Sequence, residues 1–283
     1  MITLGIPCYN EARNLPGLLD DLLRQAAGAD FQFVLVDDAS SDSTLQILEA
    51  YRARDPRIEI VRHEVRRGST AAWNSIFEHA RGDVLIRIDG DVRIGDPAFV
   101  ATLARPLRAN PGEPRLSYCS VVPRERPTTW VERGSGFIYR YIARQNAMGR
   151  WTPESLFCAV LGATRAFYAD FRIPEGIVAN DYYTARYALS RQLSVVIADT
   201  CATIKPAASL ADFRKQGARL ASSRRQIEDV LGRTTPARLA AVPPILIEAI
   251  RDPRGAMSFL RLQSEIRPGP NTDVAWEPAE TTK

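Results

Sequence analysis

Along the first 110 residues, short apolar runs alternate with stretches in which apolar side chains recur every three or four positions. ITLGI (2–6) precedes Leu15, Leu18, Leu19, Leu22 and Leu23, and FVLV (33–36) precedes Leu45, Leu48 and Tyr51. IEIV (58–61) precedes Trp73, Ile76, Phe77 and Ala80, and VLIRI (84–88) closes the series. A run of four or five apolar residues has the length of a buried strand. A spacing of three and four places side chains on one helix face. Strands separated by helices pair in parallel, so the pattern predicts a doubly wound, mainly parallel sheet with helices on both faces.

The second half is read the same way. Asp96 followed by Pro97 reads as the N-cap and first turn of a helix running toward Leu107. LSYCSVV (116–122) predicts a strand, followed by a helical stretch from about Thr128 to Met148. FCAVLGATRAF (157–167) and LSVVIA (193–198) predict further strands, with a helix near Tyr182 to Leu189 between them. From Ile204 the chain becomes Arg- and Ala-rich and helical, and from Pro268 its composition is that of a disordered tail. The expected organisation is one α/β domain over 1–204, with halves at 1–110 and 111–204, a basic helical extension over 205–267, and a tail over 268–283.

Composition narrows the class. Of 283 residues 45% are hydrophobic and 25% charged, enough apolar surface for a sizeable core. The net charge of +4 is uneven: residues 1–204 carry 24 basic and 24 acidic groups, residues 205–270 carry 12 and 6. This basic excess surrounds a proline-broken apolar stretch, Ala240 to Ile250, and points to an anionic membrane surface, with a solvated charged face as the competing reading. No nucleic-acid-binding motif accompanies it, so nucleic acid is not an expected partner. The stretch falls short of the ~20 residues of a membrane span. MITLGIPCYNE carries neither a basic leader nor a long apolar segment, so the expected location is cytoplasmic, with the inner membrane face as a candidate docking place. Cys8, Cys119, Cys158 and Cys201 are scattered without a CxxC pair, which argues against a zinc knuckle or disulfide framework. With His63 and His79 the only histidines, a histidine metal site or a Ser-His-Asp hydrolase is disfavoured.

In doubly wound sheets ligands bind beyond the carboxyl ends of the strands. The first strand leads into Pro7, Cys8, Tyr9, Asn10 and Glu11; the second leads into Asp37, Asp38 and Ala-Ser-Ser-Asp-Ser-Thr. A tyrosine ring can stack on a nucleobase, and a carboxylate can accept the imide N–H of uracil or thymine. The competing reading is ordinary helix capping, with Ser43 as the cap. VLIRI leads into Asp89-Gly90-Asp91. Two carboxylates on a tight turn supply hard oxygen ligands suited to Mg²⁺ or Mn²⁺ bridging to a diphosphate, whose departure the metal would assist as a Lewis acid. A plain surface turn is the alternative.

Taken in order, Pro-x-Tyr-Asn-Glu, Val-Asp-Asp-Ala-Ser-Ser-Asp, Arg67-Gly68 with Ala72 and Asn74, and Arg-Gly-Asp-Val-Leu-Ile-Arg-Ile-Asp-Gly-Asp resemble the family-2 glycosyltransferases over roughly residues 1–110. The resemblance implies a GT-A fold and transfer with inversion from a nucleotide-sugar, UDP-linked, to a hydroxyl of a glycan or lipid-linked acceptor. By position it implies that Pro7, Tyr9 and Asp38 line the base, Asp89 faces the ribose and Asp91 holds the metal. Glu11, Gly68 and Asn74 join them on the donor side, and Arg66 or Arg67 reaches the base or phosphates.

The family's base lies on an acidic pair opening a helix in the second half. Here that place holds Asn180 and Asp181, and Asp181 is the expected base, with helix capping as its competing role. General-base assistance contributes roughly 10²- to 10⁴-fold. Gln216 to Leu220 is similar to the family's GlnXXArgTrp motif; Arg219 is expected at the diphosphate, and Leu220 in place of tryptophan speaks against a glucan acceptor and processive synthesis. Two readings compete with hydroxyl transfer: transfer to a polyprenyl phosphate, which needs no base, and a non-catalytic nucleotide-sugar-binding protein. A nucleotidyltransferase is disfavoured, because it wants a glycine-rich loop where Pro7 to Glu11 stand.

Overall fold

A computed structural model describes residues 1–27, 30–156, 159–232 and 242–265. The predicted tail, Phe157 and Cys158 of the sixth apolar run, and the side chain of Leu220 lie outside the described residues.

The first 88 residues form β1 (Ile2–Cys8), α1 (Leu15–Gln25), β2 (Phe31–Asp37), α2 (Thr44–Arg54), β3 (Ile58–Arg62), α3 (Ser69–His79) and β4 (Val84–Ile88). Then come α4 (Phe99–Arg108), β5 (Arg115–Pro123), α5 (Trp130–Ala147), β6 (Val160–Thr164), α6 (Arg165–Tyr168), α7 (Asn180–Ser190) and β7 (Ser194–Ile204). The C-terminal part is helical: α8 (Leu210–Leu231), α9 (Val242–Arg251) and α10 (Pro253–Glu265).

The seven strands form one sheet in the order β3-β2-β1-β4-β6-β5-β7. Successive side chains of a strand point to opposite faces. In β2, Phe33 and Leu35 accordingly join the core beneath α1 and α4, while Val34 and Val36 join the core beneath α3 and α7. Burial on both faces is why the strands read as unbroken apolar runs. The α1 leucines at 15, 18, 19 and 22 are all buried, each contributing about 1.5–3 kcal/mol relative to exposure. Gly5 lets α3 lie close against β1, since a Cβ there would collide with Ile76.

One strand breaks the parallel arrangement. β6 is antiparallel to both β4 and β5, whereas β5 and β7 pair in parallel. The chain enters β6 beside the carboxyl end of β4, where Asp89 N–H donates to the Ala159 carbonyl (2.9 Å), and so must run back along it.

Two helix starts differ in detail from expectation. α4 begins at Phe99 rather than at Asp96, because Asp96 Oδ1 accepts the Ala98 N–H (2.8 Å) in a turn that includes Pro97. Ser43 occupies the cap position of α2 without a side-chain cap bond; Asp42 Oδ1 takes the Thr44 N–H instead (2.9 Å). α5 opens on a reciprocal capping box between Thr129 and Glu132. Among the described residues no helix is long and apolar enough to cross a membrane.

Candidate active site

The carboxyl ends of β1, β2 and β4 lie side by side, and the loops beyond them interlock. Asn10, at φ 53°, takes the left-handed conformation that asparagine tolerates better than most residues. Its Oδ1 accepts from Ser41 N (2.8 Å) and Asp42 N (3.3 Å), and its own N–H donates to Ser40 Oγ (3.0 Å). Glu11 N–H donates to Thr44 Oγ1 (2.8 Å), and Glu11 Oε2 accepts from Asn14 Nδ2 (2.9 Å). Pro7 sits opposite Val36, half-buried, at the mouth of these loops.

Asp38 is buried and heavily engaged. Oδ1 accepts from His63 Nδ1 (2.7 Å) and from Arg67 N–H (2.8 Å), and Oδ2 from Gly68 N–H (2.7 Å). Gly68 presents that N–H from φ 88°, a conformation side-chain-bearing residues rarely adopt. His63 Nε2 lies 2.9 Å from Ser75 Oγ. The Asp38–His63–Ser75 chain has the composition of a hydrolytic triad, but all three are buried, so it braces the loop. Over the same loop the Arg66 guanidinium covers one face of Tyr9, 4.2 Å from the ring centroid.

The Asp89-Gly90-Asp91 turn is held by its backbone. Val92 N–H donates to the Asp89 carbonyl (3.3 Å), and Arg124 Nη2 donates to the Asp91 carbonyl (2.8 Å). Arg93 and Thr203 exchange N–H to carbonyl bonds of 2.8 and 2.9 Å, tying the turn to β7. Gly90 packs against Glu11: a Cβ there would lie 2.9 Å from Glu11 Cγ. Beneath the turn, Arg87 is fully enclosed, pairs with Asp89, and lies 3.5 Å over the centroid of Trp73. Its Nε and Nη2 have no hydrogen-bond partner among the described residues.

The second half closes over this edge. Asn74 spends its amide on the segment before α7: Nδ2 donates to the Ile173 carbonyl (2.9 Å), and Oδ1 accepts the Ile173 N–H (3.0 Å). Asn180 Nδ2 donates to Ser69 Oγ (3.0 Å), and Asp181 Oδ1 accepts the Tyr182 N–H (2.8 Å) in the first turn of α7. Asp181 thus accepts a first-turn N–H from inside the helix, while the cap position of α7 falls on Ala179, which makes no side-chain cap bond.

Electrostatics place the remaining groups. Burial pushes the Asp89 carboxyl up although 40% of its side chain stays open to the cleft; Arg87 opposes the rise, Asp181 adds to it and Arg219 of α8 opposes it. Asp91 is pushed up to about 6 by burial and by the negative charge of Asp89. Tyr139 of α5 is pushed up to about 12 by burial, then by Asp91, with Asp181 and Asp89 adding and Arg219 opposing. Asp89 thus feels the charges of Asp181 and Arg219, and Tyr139 feels those of Asp89, Asp91, Asp181 and Arg219.

The family model described as Glycosyl transferase family 2 matches residues 3–168, from β1 through α6. This chain belongs to glycosyl transferase family 2. The fold is GT-A, as the solved structures it resembles also show. A mannosyltransferase, PcManGT from Pyrobaculum calidifontis, in complex with GDP-Man and Mn²⁺, aligns at TM-score 0.64 and 22% identity, over 93% of this chain and 73% of that one. Glucosyl-3-phosphoglycerate synthase from Mycobacterium tuberculosis, in complex with Mn²⁺, UDP and phosphoglyceric acid, aligns at TM-score 0.53 and 17% identity, over 83% and 80%. Among curated proteins, an undecaprenyl-phosphate 4-deoxy-4-formamido-L-arabinose transferase of Shewanella sediminis is 38% identical over 96 residues, 32% of this chain and 29% of that protein. The uncharacterized glycosyltransferase YfnE of Bacillus subtilis is 30% identical over 128 residues, 45% of this chain and 31% of that protein. The chain thus spans about a third of the length of these curated relatives.

For a family-2 glycosyltransferase the donor set fits a divalent cation. Among the described residues no group of three or more His, Cys, Asp and Glu side chains forms a closed metal cage. What exists is an open-sided pair, Asp89 and Asp91, whose crowded negative charge a cation would relieve while diphosphate and water complete its shell. Arg87, Arg124, His63 and Tyr139 were not singled out in the sequence. Arg87 carried a signal: a cation in an otherwise apolar strand needs an anionic neighbour, and Asp89 stands two residues on. Tyr139 carried none, being one of several aromatic positions on an ordinary helix.

Proposed function

We propose that this family-2 glycosyltransferase is a non-processive inverting enzyme that moves a sugar from a nucleotide-sugar, UDP-linked, to a hydroxyl of a glycan or lipid-linked acceptor, with Mg²⁺ or Mn²⁺. What supports the reading is the Asp89-Gly90-Asp91 turn at the carboxyl end of β4 in a chain of this family, with the charges of Asp181 on α7 and Arg219 on α8 acting on Asp89. Residues 1–204 would form the catalytic unit, divided near 110 into donor and acceptor halves, and 205–267 an extension.

In this reading Pro7 and Tyr9 flank the base. Arg66 either sandwiches it or yields its place on the Tyr9 ring. Asp38 fixes Gly68 and the loop beside the base, and its remaining acceptor capacity meets the imide N–H. Asp89 would meet the ribose, and Asp91 would hold the metal, which when bound stabilises charge developing on the leaving diphosphate. Asp181 accepts the proton of the acceptor hydroxyl as that oxygen bonds to the anomeric carbon. The anomeric C–O bond to the diphosphate breaks with its electron pair retained by the phosphate oxygen, next to which Arg219 adds positive charge. Glu11 supports the turn through Gly90. Asn180, standing where an acid was expected, ties α7 to the start of α3 through Ser69.

A second reading is favoured by one comparison: the Shewanella relative is named for transfer to undecaprenyl phosphate. A phosphate acceptor is already anionic and needs no base, so Asp181 separates the two. The test is nucleotide release from a donor panel with and without chelator, repeated with Asp181→Asn. Activity indifferent to chelation would remove the metal role of Asp91, and full turnover by Asp181→Asn would transfer the case to a phosphate acceptor. Nucleotide binding with no release from any donor would leave a binding protein.

A further inference from the structure

Helices α9 and α10 both pack on α5, and α9 does so the wrong way round for a helix facing water. Its Glu248 is only 2% exposed and is turned inward, with Oε1 accepting from Arg140 Nε (3.1 Å) and Oε2 from Arg144 Nη2 (2.8 Å) on α5. Asp252, between the two helices, pairs with Arg140 as well and accepts the Gly255 N–H (2.8 Å) at the start of α10. Leu246 and Ile250, one helical turn apart, are turned outward, Ile250 being 81% exposed. An amphipathic helix in water buries its apolar stripe and exposes its charges. Here Glu248 is consumed inside while Leu246 and Ile250 are left out.

α10 has an ordinary inner face. Phe259 stacks on Phe137 with centroids 5.5 Å apart, and Leu262 is buried against Gly134. Its outer face again mixes apolar and cationic side chains: Met257 (68% exposed) and Leu260 with Arg254 and Arg261. Arg261 lies 4.1 Å over the ring of Trp130, the first residue of α5. Between α5 and α10 a depression of about 500 Å³ is lined by Trp130, Arg133, Pro253, Arg254, Met257 and Ser258. The nearby acids Glu248, Asp252 and Glu265 are already paired, with Arg140, Arg144 and Arg214, so the outer surface that carries Arg251, Arg254 and Arg261 is cationic.

We propose that the outer face of the α9–α10 pair is a docking surface for an anionic lipid bilayer. Exposed aliphatic side chains enter the acyl boundary, Trp130 sits at headgroup level, and the arginines meet lipid phosphates. Charge complementarity selects this occupant over a second copy of the chain, whose same face would be equally cationic. The surface draws its purpose from the reading of a lipid-linked acceptor, and its binding is measurable without any catalytic step.

The test is cosedimentation of the full chain with vesicles of pure phosphatidylcholine and of equimolar phosphatidylcholine and phosphatidylglycerol. Three proteins are compared: the parent, Ile250→Asp with Met257→Asp, and Arg251→Gln with Arg254→Gln and Arg261→Gln. The expected result is salt-sensitive binding of the parent to the anionic vesicles only. The arginine variant should lose roughly five-fold in affinity per residue replaced, and the apolar variant should lose binding altogether. Thermal melting and donor hydrolysis without vesicles monitor folding and the catalytic site separately, and both should remain at parent level. Absence of vesicle binding, or binding that neither variant alters, overturns the proposal. So does concentration-dependent self-association abolished by Ile250→Asp with Met257→Asp in a chain that ignores vesicles.

Discussion

Arg87 lies directly beneath Asp89, its guanidinium sealed between the Trp73 ring and the carboxylate. The two removals are not equivalent. Asp89→Ala strands a buried cation and should destabilise the fold by about 3 kcal/mol, read from denaturant unfolding. Arg87→Met removes that cation and replaces it with an apolar chain; it should cost far less stability yet lower kcat/KM for the donor at least about tenfold, because Asp89 loses the group that orients it. Equal destabilisation by both would show that the pair is not coupled as described.

Asp91 is predicted to carry the metal dependence. Asp91→Asn should weaken Mn²⁺ binding, followed by calorimetry in the presence of nucleotide, and reduce turnover by about 10²-fold or more. The same activity assay on the parent protein should collapse with chelator and recover with added Mn²⁺ or Mg²⁺. Parent-like Mn²⁺ affinity in Asp91→Asn would move the ligand role elsewhere.

Asp181→Asn should lower kcat by roughly 10²- to 10⁴-fold while nucleotide affinity stays near that of the parent. Asparagine retains an oxygen for the Tyr182 N–H, so the start of α7 survives the change and a loss of rate reports on the proton acceptor.

His63→Ala should act through Asp38. Loss of the 2.7 Å bond removes one of the two donors to Asp38 Oδ1, takes the His63 partner from Ser75 in the core, and should destabilise the protein by about 1–3 kcal/mol. The kinetic signature should be a raised KM for the donor with kcat little changed, since the loop beside the base loosens while the chemistry at Asp181 does not. A pure kcat effect would contradict this.

One stability term has a defined pH window. Arg57 Nη2 donates to Asp55 Oδ2 (2.6 Å), and Nη1 reaches the Ala26 carbonyl (2.9 Å), fastening the turn into β3 to the end of α1. The Arg57 hydrogen bond holds the Asp55 carboxyl below its ordinary value of 3.8. A lowered native value stabilises the fold above the unfolded value and is lost as pH falls through the folded one. Asp55→Asn should therefore destabilise by about 1 kcal/mol at neutral pH, with the difference from the parent fading below about pH 4 in urea unfolding series.

The first half was legible in the sequence because its signals are local. Four apolar runs with helical periodicity between them mark parallel strands joined by helices, and the residues after each run stand at one edge of the sheet. The second half was less legible because what organises it is contact across long separations. The reversal of β6 follows from where the chain re-enters the sheet, at Ala159 beside Asp89, which no residue pattern within β6 encodes. The same holds for the site. Asp89 and Asp91 announce themselves as a pair, and Arg219 stands in a motif-like segment, whereas Tyr139 comes from α5, a helix whose sequence looks like any amphipathic surface helix. Asn74 illustrates the opposite limit: its position in the motif drew it to the donor side, but its amide is committed to Ile173, nearly a hundred residues away.

The reversed strand also changes what counts as an exchangeable part. Because β6 is zipped between β4 and β5, and its first carbonyl neighbour caps the Asp89 backbone, a graft ending near residue 110 would leave the metal-proposed turn with a bare flank. A chimera built to transplant donor preference between relatives should instead keep residues 1–204 as one cassette, so that β6, Arg124 and the Thr203 tie of β7, which all support the Asp89-Gly90-Asp91 turn, come from the same parent.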